Sequence, residues 1–337
     1  MSVAQMIQDA WNSQAKWLIV LRPLSWLYRG GFVLNKKLYQ SGLKPTYTAP
    51  IPVMVIGNIT VGGSGKTPLL IRLVSYLNSL NIQVGVISRG YGGKGPFPAY
   101  VDLESRADVV GDEPTLIVQS TGVPMAVGPN RQQSIELLLS KHKLDLIICD
   151  DGLQHWALQR QLEWIVLDNN RGLGNEKLLP EGYLREPKKR LASGTVIEHA
   201  SHPTLAMNMH LESAPPYLLN KDVVTEFDAN NVFYAVVGIG FPQRFYNTLE
   251  SMGIHQFQCH EFPDHYEYEL DDLQFEDSNP IITTEKDAVK LLALLKNNPD
   301  FKREIWVVPV DAVLSPACYE TLHQQLKQLG LKLPEGI

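Results

Sequence analysis

One short stretch, residues 53–67, constrains the fold of this 337-residue chain more than any other. The apolar run Val53–Ile56 is followed by a glycine-rich turn and then by Gly65-Lys66-Thr67, which opens a helical pattern. Backbone N–H groups of such a turn can wrap a polyphosphate, and the positive end of the next helix points at it. The stretch therefore predicts a strand, a phosphate-binding loop and a helix, in that order.

We expect every residue of this loop to help bind a nucleotide. The loop consists of Thr60, Val61, Gly62, Gly63, Ser64, Gly65, Lys66 and Thr67. Lys66 can reach the β- and γ-phosphates of ATP and assist catalysis there, and the Thr67 hydroxyl can ligate Mg²⁺. The usual pattern has glycine at the position of Thr60. The structural alternative is an ordinary glycine-rich turn between a strand and a helix.

A second motif places two carboxylates at the end of an apolar run. Leu144–Cys149 reads as a strand, and Asp150 and Asp151 follow it directly. The carboxyl end of a strand in a parallel sheet faces the phosphate site, so we expect Asp150 to organise the metal, with Asp151 beside it. Gln154 and His155 lie a turn further on, within reach of substrate. Taken alone, Asp-Asp-Gly is also a common turn sequence.

Short β-rich runs alternate with helical patterns from residue 51 onward, which is typical of crossover units and a parallel sheet. The expected strands are 53–56, 84–87, 125–127, 144–149, 164–167, 232–237, 280–283 and 305–310, and the expected helices are 68–80, 132–141, 243–251 and 287–295. A polar, proline-containing stretch around 213–230 marks a domain boundary. We therefore expect an α/β protein with a nucleotide- and substrate-binding domain at 49–215 and a smaller α/β domain at 216–337 that closes over the site.

Residues 1–48 differ in charge from the rest of the chain. Six basic residues and one acidic residue give them a net charge of +5, so the remainder carries −11 of the total of −6. Tryptophans and leucines interleave with the cations, a pattern typical of amphipathic helices in an anionic membrane interface. A helical pair packed on its own domain is the alternative. The apolar stretch 17–28 contains Arg22-Pro23 and is too short to span a bilayer.

Composition excludes several classes of protein. With 44% hydrophobic and 20% charged residues, the chain is typical of globular proteins. The negative net charge argues against nucleic acid as a partner, because a phosphate backbone requires a basic surface. The three cysteines are far apart, so neither a disulfide framework nor a cysteine-based zinc site is expected, and a reducing cytoplasm fits best.

Further motifs occur in order up to about residue 290: Gly57–Pro68, Ser88–Gly93, Val110–Pro114, Asp150–His155, Leu184–Pro187, Phe262–Tyr266 and Thr283–Asp287. Through these motifs the sequence resembles the tetraacyldisaccharide 4′-kinase family, the lipid A kinases. Thr60 is typical of this family, and the basic, aromatic N-terminal segment also fits it. The resemblance leaves the role of Thr283–Asp287 open.

This resemblance implies a P-loop kinase-like fold and a specific reaction. ATP and Mg²⁺ would be used to phosphorylate the 4′-hydroxyl of an acylated glucosamine disaccharide 1-phosphate lipid, giving lipid IVA in lipid A biosynthesis. The protein would act at the cytoplasmic face of the bacterial inner membrane, peripheral or monotopic, with no obligate protein partner.

The resemblance also assigns roles to residues that the sequence alone leaves ambiguous. Asp112 becomes the catalytic carboxylate, and His265 of the other domain becomes its partner in accepting the proton of the sugar hydroxyl. Alone, Asp112 reads as a helix N-cap and His265 as a surface or packing histidine. The expected substrate-binding residues are Arg89, Glu113, Gln154, His155, Arg185 and Glu186.

A basic run, Arg185 with Lys188, Lys189 and Arg190, could hold the 1-phosphate or lipid headgroups, although such runs are usually solvated. Ser88–Gly93 could likewise be a flexible connection. Two other functions remain open: a soluble small-molecule kinase that shares the phosphate loop, and a membrane-associated NTPase switch of the partition type. That switch class has a lysine where this chain has Val61.

Overall fold

The computed structural model describes residues 3–220 and 226–334. The α-helices are α1 (Val3–Asn12), α2 (Arg22–Gln40), α3 (Lys66–Ser79), α4 (Ala107–Val110), α5 (Asp112–Thr121), α6 (Arg131–Lys141), α7 (Pro242–Ser251), α8 (Glu285–Lys296) and α9 (Pro316–Gln328). The strands are β1 (Val53–Gly57), β2 (Val84–Ser88), β3 (Ala99–Val101), β4 (Met125–Val127), β5 (Leu146–Asp150), β6 (Leu162–Asp168), β7 (Thr195–His199), β8 (Asn208–Ser213), β9 (Tyr217–Leu218), β10 (Phe233–Val237), β11 (Phe257–Glu261), β12 (Ile281–Thr284), β13 (Ile305–Val308) and β14 (Val310–Leu314). Short 3-10 helices span Lys16–Leu21, Lys188–Ser193 and Leu270–Leu273.

A nine-stranded sheet forms the larger domain, in the order β14-β8-β7-β6-β1-β5-β2-β4-β3. Strand β1 lies near its centre, parallel to β5 and β6, and all five of its residues are buried. Both faces of the sheet are covered, one by α3, α5 and α9 and the other by α6. Parallel strands buried on both faces need continuous apolar runs, which explains why these strands were visible in the sequence. The predicted α/β fold class is confirmed.

A five-stranded sheet, in the order β11-β10-β12-β13-β9, forms the smaller domain. Its strands are parallel except for the short β9. Helices α7 and α8 cover its two faces, and Leu249 and Leu291 are among the side chains that they bury there. Each sheet therefore has its own core.

The chain returns to the larger sheet at its end, where the structure differs from the expected domain of 216–337. The run expected as one strand at 305–310 is split between β13 in the small sheet and β14, which pairs antiparallel with β8. Helix α9 then buries Leu322 and Leu326 against the core of the larger sheet. Periodicity identifies a strand but not the sheet that it joins, so this crossing was not visible in the sequence. Part of the expected boundary, residues 221–225, lies outside the described residues.

The N-terminal segment is helical, as expected, and packs on the larger domain through polar contacts. Trp11 Nε1 donates to the Pro180 carbonyl at 3.0 Å, and Arg22 pairs with the buried Glu181 at 2.8 Å. Ser25 Oγ donates to the Leu178 carbonyl at 3.0 Å. In the described residues, no helix is both long and apolar enough to cross a membrane.

Candidate active site

The predicted phosphate loop lies between β1 and α3, and its shape depends on glycine at two positions. Gly62 and Gly65 have φ angles of +98° and +87°, a region that favours glycine. A Cβ on Gly65 would lie 2.8 Å from Nδ1 of His199, at the end of β7. His199 Nδ1 is 3.0 Å from the Ser64 carbonyl, the geometry of an N–H donating to the loop. The backbone of the loop is thus supported by His199 of β7, a strand separated from β1 by β6.

Lys66 points toward the carboxylates at the end of β5. Its Nζ donates to Asn58 Oδ1 at 3.2 Å and lies 3.6 Å from Asp151 Oδ1. Asn58 is completely buried, and its Nδ2 donates to Thr60 Oγ1 at 3.1 Å. Sequence reasoning missed Asn58, although a polar residue directly after a buried strand is a signal that could have found it. Asn58 therefore joins Thr60, at the start of the loop, to the side chain of Lys66, and orients that lysine.

Asp150 and Asp151 are adjacent, but their pKa values are shifted in opposite directions. Burial, the nearby Glu113 carboxylate and Asp151 raise the pKa of Asp150 to about 7, although Lys66 opposes them. Asp151 has a φ of +47° and accepts two hydrogen bonds from Arg185 Nη1, at 2.8 and 2.9 Å. Burial would raise the pKa of Asp151, but Lys66 and Arg185 outweigh it and lower the pKa to about 2.

The chemistry of these donors fits a magnesium ion. One oxygen of the buried Asp150, Oδ1, has no hydrogen-bond partner, which leaves it free to meet a cation beside the phosphate loop. The Thr67 hydroxyl, in the first turn of α3, is the second fitting donor. Within 3–220 and 226–334, no group of three or more His, Cys, Asp or Glu could hold a metal ion. Mg²⁺ does not need one, because it commonly uses one or two carboxylates with water and substrate phosphates.

Asp112 and His265 come together from the two domains. His265 Nδ1 lies 3.0 Å from both oxygens of Asp112, and the Tyr91 ring packs 4.8 Å from the imidazole. Asp112 is the first residue of α5 and Gly111 is the N-cap, so Asp112 is not the helix cap that its sequence suggested. Burial alone would raise the pKa of Asp112, but hydrogen bonding to His265 and the nearby Lys286 lower it.

The carboxylate of Asp112 has the reverse effect on its partner. Burial lowers the pKa of His265, but the hydrogen bond to Asp112 and the negative charges of Asp112 and Asp264 together outweigh burial, so the pKa is raised. His265 has a φ of +63° in the loop after β11, an uncommon backbone conformation for histidine. An imidazole held in this way has one nitrogen bound to a carboxylate and the other available for proton transfer.

Lys286, in the first turn of α8, contacts the same site and was not predicted. Its Nζ lies 3.1 Å from Glu113 Oε1, 3.0 Å from Asp264 Oδ1 and 3.8 Å from Asp112 Oδ2. Burial opposes its charge, but these three carboxylates raise the pKa of Lys286 well above its usual value. The motif Thr283–Asp287, whose role the sequence left open, was the feature that could have identified this residue, because Lys286 within it reaches the cleft.

The expected substrate-binding residues occupy different environments. Gln154 Nε2 donates to Glu186 Oε1 at 2.8 Å, and Glu186 is wholly buried, also facing Arg190 at 3.2 Å. Glu186 was expected to contact substrate directly. The structure instead buries it, and its carboxylate accepts a hydrogen bond from Gln154. His155 is half-buried, and burial together with nearby arginines, Arg89 among them, lowers its pKa to about 4. Arg89 itself is exposed.

The basic run after Arg185 divides into separate roles. Arg190 is buried and pairs with Glu163 at 2.7 Å, so its charge is used within the fold. Lys188 pairs with Glu176 at 2.6 Å on the surface. Arg185, the residue of this run closest to the aspartates, is the one that belongs to the candidate site.

Comparison with known proteins agrees with this geometry. A family model described as tetraacyldisaccharide-1-P 4′-kinase matches residues 17–327. This chain belongs to that family. The tetraacyldisaccharide 4′-kinase of Psychrobacter cryohalolentis is 48% identical over 368 residues, covering 99% of each chain. That of Ectopseudomonas mendocina is 41% identical, covering 98% of this chain and 99% of its own.

A solved structure of the kinase family extends the likeness to three dimensions. The LpxK of Aquifex aeolicus, solved in complex with ATP, is 27% identical to this kinase with a TM-score of 0.75. The alignment covers 93% of this kinase and 99% of that chain. The predicted family and the P-loop kinase-like fold are therefore confirmed, whereas the roles of individual site residues stay predictions.

Proposed function

We propose that this chain transfers the γ-phosphate of ATP to the 4′-hydroxyl of tetraacyldisaccharide 1-phosphate, forming lipid IVA in lipid A biosynthesis. The observation that carries the proposal is the contact of Asp112 with His265 in a chain of this kinase family. A proton acceptor beside a phosphate loop is what phosphoryl transfer to a sugar hydroxyl requires, because the hydroxyl is a weak nucleophile.

The phosphate loop binds the nucleotide in this proposal. Residues 60–67 direct backbone N–H groups and the N-terminus of α3 at the phosphates, and Lys66 neutralises the β- and γ-phosphates. Asp150 and Thr67 would hold Mg²⁺, which when bound neutralises charge on the transferring phosphoryl group. Asp151 keeps Lys66 and Arg185 in place, because its carboxylate contacts both cations.

The pair formed by Asp112 and His265 handles the acceptor proton. With Nδ1–H donated to Asp112, His265 Nε2, which lies 3.9 Å from Asp264 Oδ2, is the nitrogen that accepts the 4′-hydroxyl proton as the phosphoryl group arrives. The ionised Asp112 then stabilises the imidazolium and fixes the ring orientation. Glu113, Gln154, His155, Arg89 and Arg185 surround the position where we place the disaccharide.

Closure of the smaller domain over the larger one completes the site in this proposal. His265 belongs to the smaller domain and Asp112 to the larger, so the pair exists only when the two domains meet. Arg244 of α7 pairs with Asp168 at the end of β6 on another side of the cleft. Closure would exclude water and limit wasteful hydrolysis of ATP.

The N-terminal segment holds the enzyme on the inner membrane, at its cytoplasmic face, without crossing it. Leu24, Trp26, Leu27 and Leu34 of α2 are all more than half exposed, on a segment of positive charge. Apolar side chains turned outward from a basic helix are typical of a helix that lies in an anionic lipid interface. The acylated substrate is then presented in the same plane.

One experiment distinguishes this proposal from the other two functions. The protein is incubated with γ-labelled ATP, Mg²⁺ and detergent-dispersed tetraacyldisaccharide 1-phosphate, with Lys66→Ala as the control. Label on the lipid that depends on both the acceptor and Lys66 is the expected result. Turnover of ATP without acceptor, stimulated by bare membrane, would favour a switch, and labelling of a soluble sugar alone would favour a small-molecule kinase.

A further inference from the structure

The smaller domain places one ammonium group among three carboxylates at the reaction centre. Lys286 contacts Asp112 and Glu113, which begin α5 of the larger domain, and Asp264, which precedes His265 in its own domain. The side chain of Lys286 is only 18% exposed, so its charge is compensated mainly by these contacts. Arginine and lysine are rarely enclosed in this way unless they are paired.

The base of this side chain is rigidly held. Thr284 caps α8 by accepting a hydrogen bond from the Asp287 backbone N–H. The Asp287 carboxylate is completely buried and accepts hydrogen bonds from Tyr268 Oη at 3.0 Å and from the Gly238 backbone at 3.1 Å. The first turn of α8, and with it the origin of the Lys286 side chain, is therefore fixed to the core of the smaller domain.

Three carboxylates that meet in a partly buried space repel one another unless a cation lies between them. Lys286 is that cation. The neighbouring Lys290, one turn later in α8, is occupied by Asp287 at 2.9 Å. Tyr91 packs on His265, and the charge of Glu113 is among the causes that raise the pKa of the buried Asp150.

We propose that Lys286 is a positioning residue for phosphoryl transfer, which aligns Asp112 with His265 by tying α5 to α8 at the reaction centre. This inference rests on the proposed roles of Asp112 and His265. Lys286 does not need to contact substrate for this role: it keeps the two carboxylates that begin α5 directed toward the smaller domain when the cleft is closed.

The sign of its electrostatic effect makes the role measurable. The ammonium of Lys286 lowers the pKa of both Asp112 and His265, so its removal raises the pKa of both groups. His265 must be neutral to accept a proton. Loss of Lys286 therefore moves the acidic limb of the kcat profile to higher pH, by about one unit, the lower end of the range for a charge at such distances.

The experiment compares Lys286→Met with Lys286→Arg, which retains the charge, in detergent-dispersed lipid and ATP over a range of pH. We expect Lys286→Met to lower kcat roughly 10- to 100-fold, with the KM for ATP changed less than about twofold, because alignment is lost and nucleotide binding is not. Lys286→Arg should recover most of the rate. The His265 imidazole resonance, titrated by NMR without substrate, should show the raised pKa in Lys286→Met.

A second ion pair between the same two domains provides a matched control variant. Lys94 pairs with Glu267 at 2.6 Å, and both side chains are about two-thirds exposed. Lys94→Met removes one cation between the domains without touching Asp112, so its kcat and pH profile should remain those of the wild type. If Lys286→Met does not fold, as judged by thermal melting, Lys286→Gln takes its place.

The outcomes separate this inference from the function on which it rests. A wild-type kcat and acidic limb in Lys286→Met, an equal loss in Lys94→Met, or no recovery in Lys286→Arg would each overturn the inference. If Asp112→Asn and His265→Asn were slow while Lys286→Met was normal, only the role of Lys286 would fail. If those two variants kept wild-type rates, the proposed proton transfer itself would fail.

Discussion

The phosphate loop and the N-terminal segment place their polar groups in opposite ways. Around the loop, polar groups such as Asn58 and Asp150 are buried. In the N-terminal segment, Ser25 is turned toward the protein and the apolar side chains of Trp26 and Leu27 are turned outward. The first arrangement suits a charged ligand that enters from water. The second suits an apolar environment that the protein itself does not supply.

In the proposed function, the two regions have different tasks. The loop would provide the chemistry, because its polar atoms are held in position before the nucleotide arrives. The N-terminal segment would provide location, because exposed apolar area is stabilised only when something covers it. A substitution in one region should therefore change rates, whereas a substitution in the other should change where the enzyme is found.

The largest effect is expected at the loop. Lys66→Ala should reduce phosphoryl transfer at least roughly 10³-fold, because we propose that Lys66 neutralises the β- and γ-phosphates. Thr67→Val should also be severely impaired, since it loses the hydroxyl that would bind Mg²⁺ but keeps the shape. Initial rates with labelled ATP measure both. Thr67→Ser, which keeps the hydroxyl, is the control and should retain most of the activity. An inactive Thr67→Ser variant would contradict the proposed role of the hydroxyl.

The next effect concerns proton transfer between the domains. Asp112→Asn and His265→Asn should each lower kcat roughly 10²- to 10⁴-fold, with the affinity for ATP little changed. Asparagine is chosen at 265 because it tolerates the positive φ of that position. The double variant should be scarcely slower than the slower single variant, because residues that act as a unit are not additive. Multiplicative losses would show that the two side chains act independently.

The N-terminal segment should show the reverse behaviour. Replacing Trp26 and Leu27 together by Ser should weaken binding to anionic vesicles at least roughly 100-fold, since two buried apolar side chains at about 1.5–3 kcal/mol each contribute about 3–6 kcal/mol. Sedimentation with vesicles measures the binding. The rate with detergent-dispersed substrate should remain near that of the wild type. Leu103→Ser, an equally exposed apolar position outside the segment, should bind vesicles normally; equal losses would contradict a specific surface.

The same two regions show how far the sequence could predict the structure. The loop was predictable residue by residue, because a strand, glycines and Lys66-Thr67 act within one short segment. The helices of the N-terminal segment were also predictable. Their orientation was not, because it depends on distant residues such as Glu181, which pairs with Arg22. The segment packs on its own domain and also leaves apolar side chains exposed, and its association with a membrane stays a prediction.

Contacts between domains were the least predictable. The sequence resemblance paired Asp112 with His265, which the structure brings within 3.0 Å. Lys286 was missed because a lysine in a helical pattern usually faces solvent, and only tertiary contacts place it among carboxylates. The strand β14 was not expected, because the run 305–310 was predicted as one strand of the smaller domain and pairing partners far apart in the chain leave no local pattern.

The smallest effect is expected from the two adjacent aspartates, measured as thermal stability without Mg²⁺ or nucleotide. The pKa of Asp150 is raised to about 7, so the folded state binds more protons there than the unfolded state. Its contribution to stability is present at low pH and is lost as the pH rises from about 4 to 7. The pKa of Asp151 is lowered to about 2, so its contribution is present above about pH 4 and is lost as the pH falls toward 2.

Neutral substitutes should therefore have opposite effects at pH 7.5, a prediction specific to the polar arrangement around the loop. Asp150→Asn should raise the melting temperature by a few degrees and flatten its change between pH 5 and 7.5, because it removes a buried charge. Asp151→Asn should lower the melting temperature, because Lys66 and Arg185 lose their shared carboxylate. Added Mg²⁺ should reduce the difference between wild type and Asp150→Asn, since only the carboxylate binds the ion strongly. If both variants changed the melting temperature in the same direction, local packing would outweigh charge at this site. Of the polar groups around the loop, only Lys66 would then support the contrast with the N-terminal segment.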